Sequence, residues 1–280
     1  MQTTETEIRD FWNANPCGEY DMGRPFDGEA FFHEYDAARY RAAPHILECL
    51  DAIDWRGKEV LEVGLGQGAD SEQIIRRGAH WTGLDLTPES VRRVTMRLQG
   101  RGLPYRDIRC GSITSAPFPD RSFDIIFSHG VLHHIPDIAA VSRELARLLK
   151  PDGELIVMLY ARWSINYAAT LTARRALLVW RYLRGHTEGP WGVQVALARK
   201  MGLLRYLRTD NFLSRNTDGP ENPHSRVYDR WSIRRDFPQF RLVRAYKHYL
   251  YPPPLPPKLL GLERLCGWHL WAHLKPQASE

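Results

Sequence analysis

Between residues 58 and 160, short apolar runs alternate with longer segments in which apolar residues recur every three or four positions. The short runs are rich in Val, Ile and Leu, which is typical of strands buried on both faces. We predict strands in KEVLEVG, HWTGLDL, YRDIRC, SFDIIFS and GELIVMLY. Because these strands alternate with helical segments, we expect a parallel sheet covered by helices on both faces.

Turn and cap residues mark the ends of the predicted helices. TPESVRRVTMRLQG begins with Thr87, a typical N-cap, and Pro88, a favoured first helical residue. ADSEQIIRRGA and DIAAVSRELARLLKPDG both run into a glycine, which commonly ends a helix. Upstream, TETEIRDFWNA, GEAFFHEYDAARYRA and PHILECLDAI predict helices that precede the sheet.

The alternation of strands and helices stops after residue 160. Residues 161–228 contain a helix with an Arg-rich side and then a loop-like stretch, so we interpret them as an insertion. FRLVRAYKHYL and GWHLWAHLKP, joined by the proline-rich YPPPLPPK, return to strand character. We predict an α/β fold with a doubly wound, seven-stranded sheet, parallel except for one antiparallel end strand. Its units are an N-terminal helical lid (1–57), a ligand-binding core (58–160), a helical cap (161–228) and C-terminal strands (229–280).

Composition indicates a soluble globular protein, with 43% hydrophobic and 25% charged residues. The N-terminus is polar and acidic, and the sequence has no long uncharged apolar stretch, so we expect neither a signal peptide nor a membrane span. The four cysteines form no CxxC pair, which favours reduced thiols and a cytoplasmic location.

Positive charge is concentrated in one part of the chain. Residues 160–250 contain 17 Lys and Arg against 6 Asp and Glu, although the net charge of the whole chain is only +5. Such an excess favours an anionic partner. The candidates are a phosphate group, a nucleic acid and a membrane surface. A solvated Arg-rich surface would give the same pattern.

The segment VLEVGLGQGAD combines three glycines with the turn from the first strand into a helix. In open α/β sheets this turn lies where ligands bind, and glycine lets a ligand approach the backbone. Gly64, Gly66 and Ala69 also fit a dinucleotide fingerprint, so the turn alone does not identify the ligand. Glu62 would repel a pyrophosphate but suits a cationic or zwitterionic ligand. Asp85, at the end of the second strand, suits a ribose diol.

The block RCGSITSAPFPDRSFDIIFSHGVLHHIPD distinguishes between these ligands. Together with the glycine turn and Asp85, it closely resembles class I S-adenosylmethionine (SAM)-dependent methyltransferases of the ubiquinone/menaquinone-biosynthesis type. The resemblance is dense over residues 58–160. It implies a Rossmann-like fold, SAM as cofactor and methyl transfer to a small-molecule metabolite.

The resemblance also implies roles for individual residues. Gly64, Gly66 and Gly68 would pass under the methionine part of SAM, and Glu62 would orient its amino end. The other expected cofactor contacts are Asp85 to the ribose, Leu86 and the Ser112–Ile113 corner to the adenine, and the backbones of Ser128 and His129 to the ammonium group. Ser112 departs from the family, which usually has Asp there, so we expect a weaker contact to the adenine.

Three histidines in SHGVLHH remain open to different interpretations. Their spacing does not suit a metal ion, so no metal is expected. A purely structural role is one reading. The other is a general base that removes a proton from a hydroxyl acceptor, for which His134 is the first candidate and His133 the second.

The acceptor is less defined than the cofactor. Tyr160 and Trp163 follow the fifth strand at the ligand-binding edge, and we predict that they line a substrate pocket. Two alternatives remain: a lipid or nucleic-acid substrate recruited by the basic cap, and a SAM-binding protein without catalysis. No nucleic-acid-binding module is visible, whereas LLGLERLCGWHLW and the cap helix suit a membrane surface.

Overall fold

The protein is described by a computed structural model covering residues 3–189, 191–251, 256 and 258–277. Most of the predicted proline-rich connector lies outside these residues. The described chain forms a seven-stranded sheet. Its strands are β1 (Glu59–Val63), β2 (His80–Asp85), β3 (Asp107–Cys110), β4 (Phe123–His129), β5 (Leu149–Tyr160), β6 (Phe240–His248) and β7 (His269–Pro276).

Helices surround the sheet and precede it. They are α1 (Glu5–Ala14), α2 (Glu19–Met22), α3 (Glu29–Ala42), α4 (His45–Asp51), α5 (Ala69–Arg76), α6 (Pro88–Gly100), α7 (Ile138–Leu148), α8 (Leu171–Leu183), α9 (Gly192–Met201), α10 (Leu203–Tyr206), α11 (Thr209–Thr217), α12 (Arg230–Asp236) and α13 (Glu263–Cys266). Single-turn helices lie at Ile113–Ser115 and Leu132–His134, and a wider turn at Asn166–Thr170 leads into α8.

The strand order is β3-β2-β1-β4-β5-β7-β6. Pairs among β1 to β5 are parallel, whereas β7 runs antiparallel to both of its neighbours. The predicted fold class is therefore confirmed, with the single antiparallel strand located beside the edge strand β6. The chain reverses its direction of travel across the sheet between β1 and β4, and such a switch point is where open α/β sheets bind ligands.

Apolar side chains on the two faces of the sheet form separate clusters. Leu61, Ile126 and Leu155 belong to the cluster that packs against α7 and α12, and Val60, Phe127 and Ile156 belong to the one that packs against α4, α5 and α6. Because strands β1, β4 and β5 are covered on both sides, their sequences read as nearly continuous apolar runs. This packing fixes the positions of the strand ends. It therefore also fixes where the loops that follow the strands, and that carry polar residues, begin.

The insertion leaves the sheet and returns to it at one point. Ala161 forms a bridge with Tyr228, and the amide of Tyr228 donates to the carbonyl oxygen of Tyr160. Helices α8 to α11 lie between these positions and bury their own cluster, which includes Leu178, Phe212 and Leu213. The insertion is thus a small helical unit attached at the carboxyl end of β5.

Candidate functional site

A cavity of about 490 Å³ opens at the carboxyl ends of β1, β2 and β4. This volume is within the usual range for small-molecule sites. Of the residues expected to bind the cofactor, Glu62, Gly64, Gly66, Asp85, Leu86, Ser112, Ile113 and His129 line it. His134, the first candidate for a base, lines it as well. The structure therefore gathers residues from four separate loops into one site.

The glycine turn after β1 forms the floor of the cavity. Gly64 has a φ of +80°, and a Cβ built on it would lie 2.2 Å from Val131 Cγ2. Gly66 has a φ of +53° and faces open space, apart from Cys17 Cβ at 3.7 Å. Only glycine fits the first position, and the second leaves room for a ligand against the backbone.

Asp85 is buried at the end of β2 and is held by three donors. Its Oδ2 accepts from the Leu65 amide at 2.7 Å, and its Oδ1 accepts from the amide and the hydroxyl of Thr87, both at 2.8 Å. Burial raises the pKa of Asp85, although these hydrogen bonds oppose the rise. The carboxylate is thus fixed in orientation and still has lone pairs to accept from a diol.

A compact charged group lies beside the glycine turn. Arg39 of α3 forms a two-pronged ion pair with Asp70, in which Nε and one terminal nitrogen lie 3.2 and 2.5 Å from the two carboxylate oxygens. His129 Nδ1 lies 2.6 Å from Asp70 Oδ2. Burial alone would raise the pKa of Asp70, but Arg39 and His129 outweigh it and hold that pKa below its usual range. Asp70 is therefore ionised.

Glu62 differs from Asp70 although both carboxyl groups are buried. The Trp81 indole nitrogen donates to Glu62 Oε2 at 2.7 Å. Burial, assisted by the nearby charge of Asp70, raises the pKa of Glu62 to about 8. In the free protein Glu62 is thus largely protonated at neutral pH, and a cation bound next to it would favour its ionised form.

His134 is oriented by His224 and Ser225, which belong to the insertion after β5. Its Nδ1 lies 2.8 Å from the carbonyl oxygen of His224 and 3.0 Å from Ser225 Oγ. Because a carbonyl only accepts, the proton of the neutral ring belongs on Nδ1, which leaves the lone pair on Nε2. Nε2 lies 3.8 Å from Asp218 Oδ2, and the ring of Trp12 contacts the imidazole edge at a centroid distance of 5.0 Å.

Several predicted site residues do not line the cavity. Gly68 packs against α6, where an added Cβ would meet Val94 at 3.0 Å, and Ser128 is buried with its hydroxyl on the Val63 carbonyl oxygen. His133 is fully buried behind His134. Both of its ring nitrogens lack a hydrogen-bond partner among the described residues, and burial lowers its pKa well below the usual value.

The two aromatic residues expected to line a substrate pocket lie elsewhere. Tyr160 stacks on Trp268 and contacts His133 with the rings tilted, at centroid distances of 4.4 and 3.9 Å. Its hydroxyl donates to Asp218 Oδ1 at 2.5 Å. Trp163 is 65% exposed on the outer surface. Neither residue lines this cavity, because β5 leads into the insertion at Ala161, and their role in substrate binding stays a prediction. Tyr160 instead fixes Asp218 near His134.

Sequence patterns missed residues that approach the cavity from distant elements. The residues that line it in this way are Arg39, Asp70, Glu5 and Trp12, and Asp218 lies 3.8 Å from His134. Asp70 could have been identified from the sequence, because it closely follows the glycine turn and is a charged residue on the buried side of α5. Arg39 and Glu5 lie on helices whose placement over the site no local pattern specifies.

The side chains of the cavity fit SAM. The ionised carboxylate of Asp70, the carboxyl of Glu62 and the guanidinium of Arg39 suit the charged amino-acid end, where the buried Nε2 of His129 also lacks a partner among the described residues. Asp85 suits the ribose diol. Leu86 and Ile113 provide apolar surface for a flat ring. No cluster of His, Cys, Asp and Glu among the described residues has the arrangement of a metal site.

Comparisons with known proteins agree with this fit. Residues 61–157 match the family model described as a methyltransferase domain. The ubiquinone biosynthesis O-methyltransferase of Stutzerimonas stutzeri is 31% identical over 159 residues, which cover 53% of this chain and 68% of that protein. The enzyme of the same name from Hahella chejuensis is 39% identical over 112 residues, which cover 38% of this chain and 46% of that protein. This chain thus spans about half the length of several of the curated relatives it matches.

The fold is shared with solved structures. A SAM-dependent methyltransferase from Aquifex aeolicus superposes with a TM-score of 0.52 over 90% of this chain and 100% of that one, at 16% identity. This likeness establishes the architecture, and the curated relatives establish the family. SAM is the cofactor implied by both the matched domain and the residues of the cavity. The chain belongs to the class I SAM-dependent methyltransferases of the ubiquinone-biosynthesis type.

Proposed function

We propose that this protein methylates a hydroxyl group of a small molecule bound beside His134. The observation that carries the proposal is the orientation of His134, whose Nδ1 donates to the His224 carbonyl oxygen, so that Nε2 is the basic atom. An unprotonated imidazole nitrogen at the cavity wall suits the removal of a hydroxyl proton. SAM supplies a methyl group that is already activated on a sulfonium.

Asp218 supports His134 in this role. Its carboxylate lies 3.8 Å from His134 Nε2 and accepts a hydrogen bond from Tyr160. A carboxylate at this distance stabilises the imidazolium that forms when the base takes a proton. We propose that Asp218 and Tyr160 act as positioning residues, and that the cap influences catalysis through this contact.

The walls near His134 favour an acceptor that is apolar around its hydroxyl group. Trp12, Val131 and Ile135 line the cavity next to the base. They would cover a ring and exclude water from the reacting atoms. The curated relatives are named as O-methyltransferases of ubiquinone biosynthesis, which supports a phenolic or similar ring hydroxyl as the acceptor.

The test is methyl transfer from labelled SAM to a panel of hydroxylated aromatic compounds, each paired with its amine and thiol counterpart. We expect labelled ether products with at least one hydroxyl compound, and loss of this activity in His134→Ala. Labelled products from amines or thiols alone would refute a hydroxyl acceptor.

We also propose a cytoplasmic location. The described residues include all four cysteines and contain no disulfide bond, which suits a reducing compartment.

We further propose contact with a membrane surface. No helix among the described residues is long and apolar enough to cross a membrane. However, Leu260 and Leu265 on the turn around α13 are 103% and 74% exposed, with Arg264 between them. Sedimentation with anionic vesicles tests the contact, which Leu260→Ser and Leu265→Ser should abolish.

A further inference from the structure

The hydroxyl of Ser112 has its hydrogen-bonding capacity filled by protein groups. It lies 2.5 Å from Glu5 Oε2, and because a carboxylate only accepts, Ser112 donates its single proton there. The Thr114 amide donates to Ser112 Oγ at 3.1 Å, and the Thr114 hydroxyl, 2.8 Å away, must then donate as well. Both lone pairs of Ser112 are therefore used, and none is left to accept from a ligand.

Glu5 provides the acceptor that Ser112 lacks. It lines the same cavity, and among the described residues Ser112 is its one side-chain hydrogen-bond partner. Oε1 therefore keeps both of its lone pairs. Thr114 Oγ1 is a second acceptor at this corner, but it is neutral, and hydrogen bonds to an ionised oxygen are roughly twice as strong.

The surroundings of Glu5 suit a flat heterocycle with an amino substituent. Ile8 of α1, Leu86 after β2 and Ile113 all line the cavity around it. The amide of Gly111 donates to the carbonyl oxygen of Asp85, which fixes the Ser112 corner close to the predicted ribose contact. The apolar surfaces would cover the faces of the ring, and a carboxylate at its edge would accept from the amino group.

Other contacts hold α1 in this position. The side-chain oxygen of Asn13 accepts from the Glu89 amide of α6 at 3.2 Å, and Trp12 packs against His134. Thr4 and Glu7 form a reciprocal cap at the start of the helix, which places Glu5 in its first turn. Glu5 is therefore held over the cavity by an ordered helix rather than by a loop.

We propose that Glu5 of α1, and not Ser112, accepts the hydrogen bond of the adenine amino group of the cofactor. The N-terminal helix then forms part of the SAM site and recognises its base. This assignment concerns cofactor binding and does not depend on the identity of the methyl acceptor.

The experiment is a binding cycle measured by calorimetry. S-adenosylhomocysteine and its purine analogue, which lacks only the 6-amino group, are titrated into the wild type, Glu5→Ala and the control Asp10→Ala. Asp10 is an exposed acid on the same helix that pairs with Arg9. We expect removal of the amino group to weaken binding roughly tenfold in the wild type and in Asp10→Ala, but less than twofold in Glu5→Ala.

Two further variants control for a disturbed α1 helix and for Thr114 as the alternative acceptor. Glu5→Gln retains the size of the side chain and should show an intermediate dependence on the amino group, even if Glu5→Ala disturbs α1. Thr114→Val should keep the dependence seen in the wild type. An undiminished dependence in both Glu5 variants, or its loss in Thr114→Val alone, would overturn the assignment.

Discussion

Arg39 and Asp70 form an ion pair in the wall of the cavity, with Arg39 Nε and Asp70 Oδ1 3.2 Å apart and a second, shorter contact beside them. The two side chains come from α3 and α5, and His129 of β4 contacts both of them. Docking of α3 on the sheet therefore completes the charged end of the site. The same guanidinium is available to a carboxylate of the cofactor.

Replacing Arg39 should affect both binding and stability. Arg39→Met leaves Asp70 ionised and buried without its strongest partner, which costs about 3 kcal/mol or more in the free energy of unfolding. S-adenosylhomocysteine should bind at least tenfold more weakly. Thermal unfolding and calorimetry measure the two effects.

Arg39→Lys is the matched control, because it keeps the charge but loses the two-pronged geometry. We expect it to restore part of the stability and only part of the affinity. Affinity within twofold of the wild type in Arg39→Met would show that the carboxylate of the cofactor is held elsewhere.

Cofactor binding should release a proton from Glu62. The pKa of Glu62 is raised to about 8, so the group is largely protonated at pH 7, and a bound ammonium would favour ionisation. Calorimetric titrations with S-adenosylhomocysteine at pH 7, in buffers of different ionisation enthalpy, should reveal release of up to one proton. The release should disappear in Glu62→Gln, and equal heats in all buffers for the wild type would refute the prediction.

The raised pKa of Glu62 also predicts how the free energy of unfolding changes with pH. A carboxyl whose pKa rises from 4.5 to about 8 on folding stabilises the folded state below pH 4.5, and this contribution is lost as the pH rises through 8. The stability of the wild type relative to Glu62→Gln should therefore fall across this interval. Denaturant titrations at several pH values measure the difference.

Alanine substitutions at Gly64 and Gly102 separate the cost of a left-handed backbone from the cost of a steric clash. Both have positive φ, +80° and +60°, but a Cβ on Gly64 would overlap Val131, whereas a Cβ on Gly102 meets nothing within 4 Å. Gly102→Ala should cost about 1–2 kcal/mol, the price of the left-handed backbone alone. Gly64→Ala should cost about 1–3 kcal/mol more and weaken cofactor binding. Equal losses of unfolding free energy would mean that Val131 moves aside freely.

His134 and His133 should differ sharply although they are neighbours. His134→Ala should reduce kcat on a hydroxyl acceptor roughly 10²- to 10⁴-fold, while affinity for S-adenosylhomocysteine stays within a few-fold. Full activity of His134→Ala on such an acceptor would place the base elsewhere.

His133→Phe is the control for this comparison. Phe can keep the ring contact with Tyr160 and removes two buried nitrogens that lack partners among the described residues, so stability should hold or increase. Activity should be close to that of the wild type. A large loss of kcat without unfolding would assign a chemical role to His133.

Local patterns were sufficient to predict the core of the fold. Apolar runs and cap residues located β1 to β5 and their helices, because spacing along the chain reflects burial directly. The glycine turn and Asp85 were visible because each lies at the end of a strand, where position alone brings it to the ligand-binding edge. The block around His134 was found by resemblance to a family and not by spacing.

Contacts between distant segments were not predictable in this way. Glu5 and Ser112 are 107 residues apart in the sequence, Tyr160 and Asp218 are 58 apart, and Arg39 and Asp70 are 31 apart. Each pair depends on how an N-terminal helix or the insertion after β5 docks on the sheet. The exposed position of Trp163, away from the cavity, was not predictable for the same reason, since it depends on the path of the insertion after Ala161.

We propose that the cavity presents the methyl group of SAM to an acceptor beside His134. A crystal structure with S-adenosylhomocysteine would show this arrangement. We predict the amino-acid end at Arg39 and Asp70, the ribose hydroxyls at Asp85, and the sulfur facing the space in front of His134 Nε2. A sulfur that faces away from His134, or a ligand bound outside this cavity, would contradict this proposal.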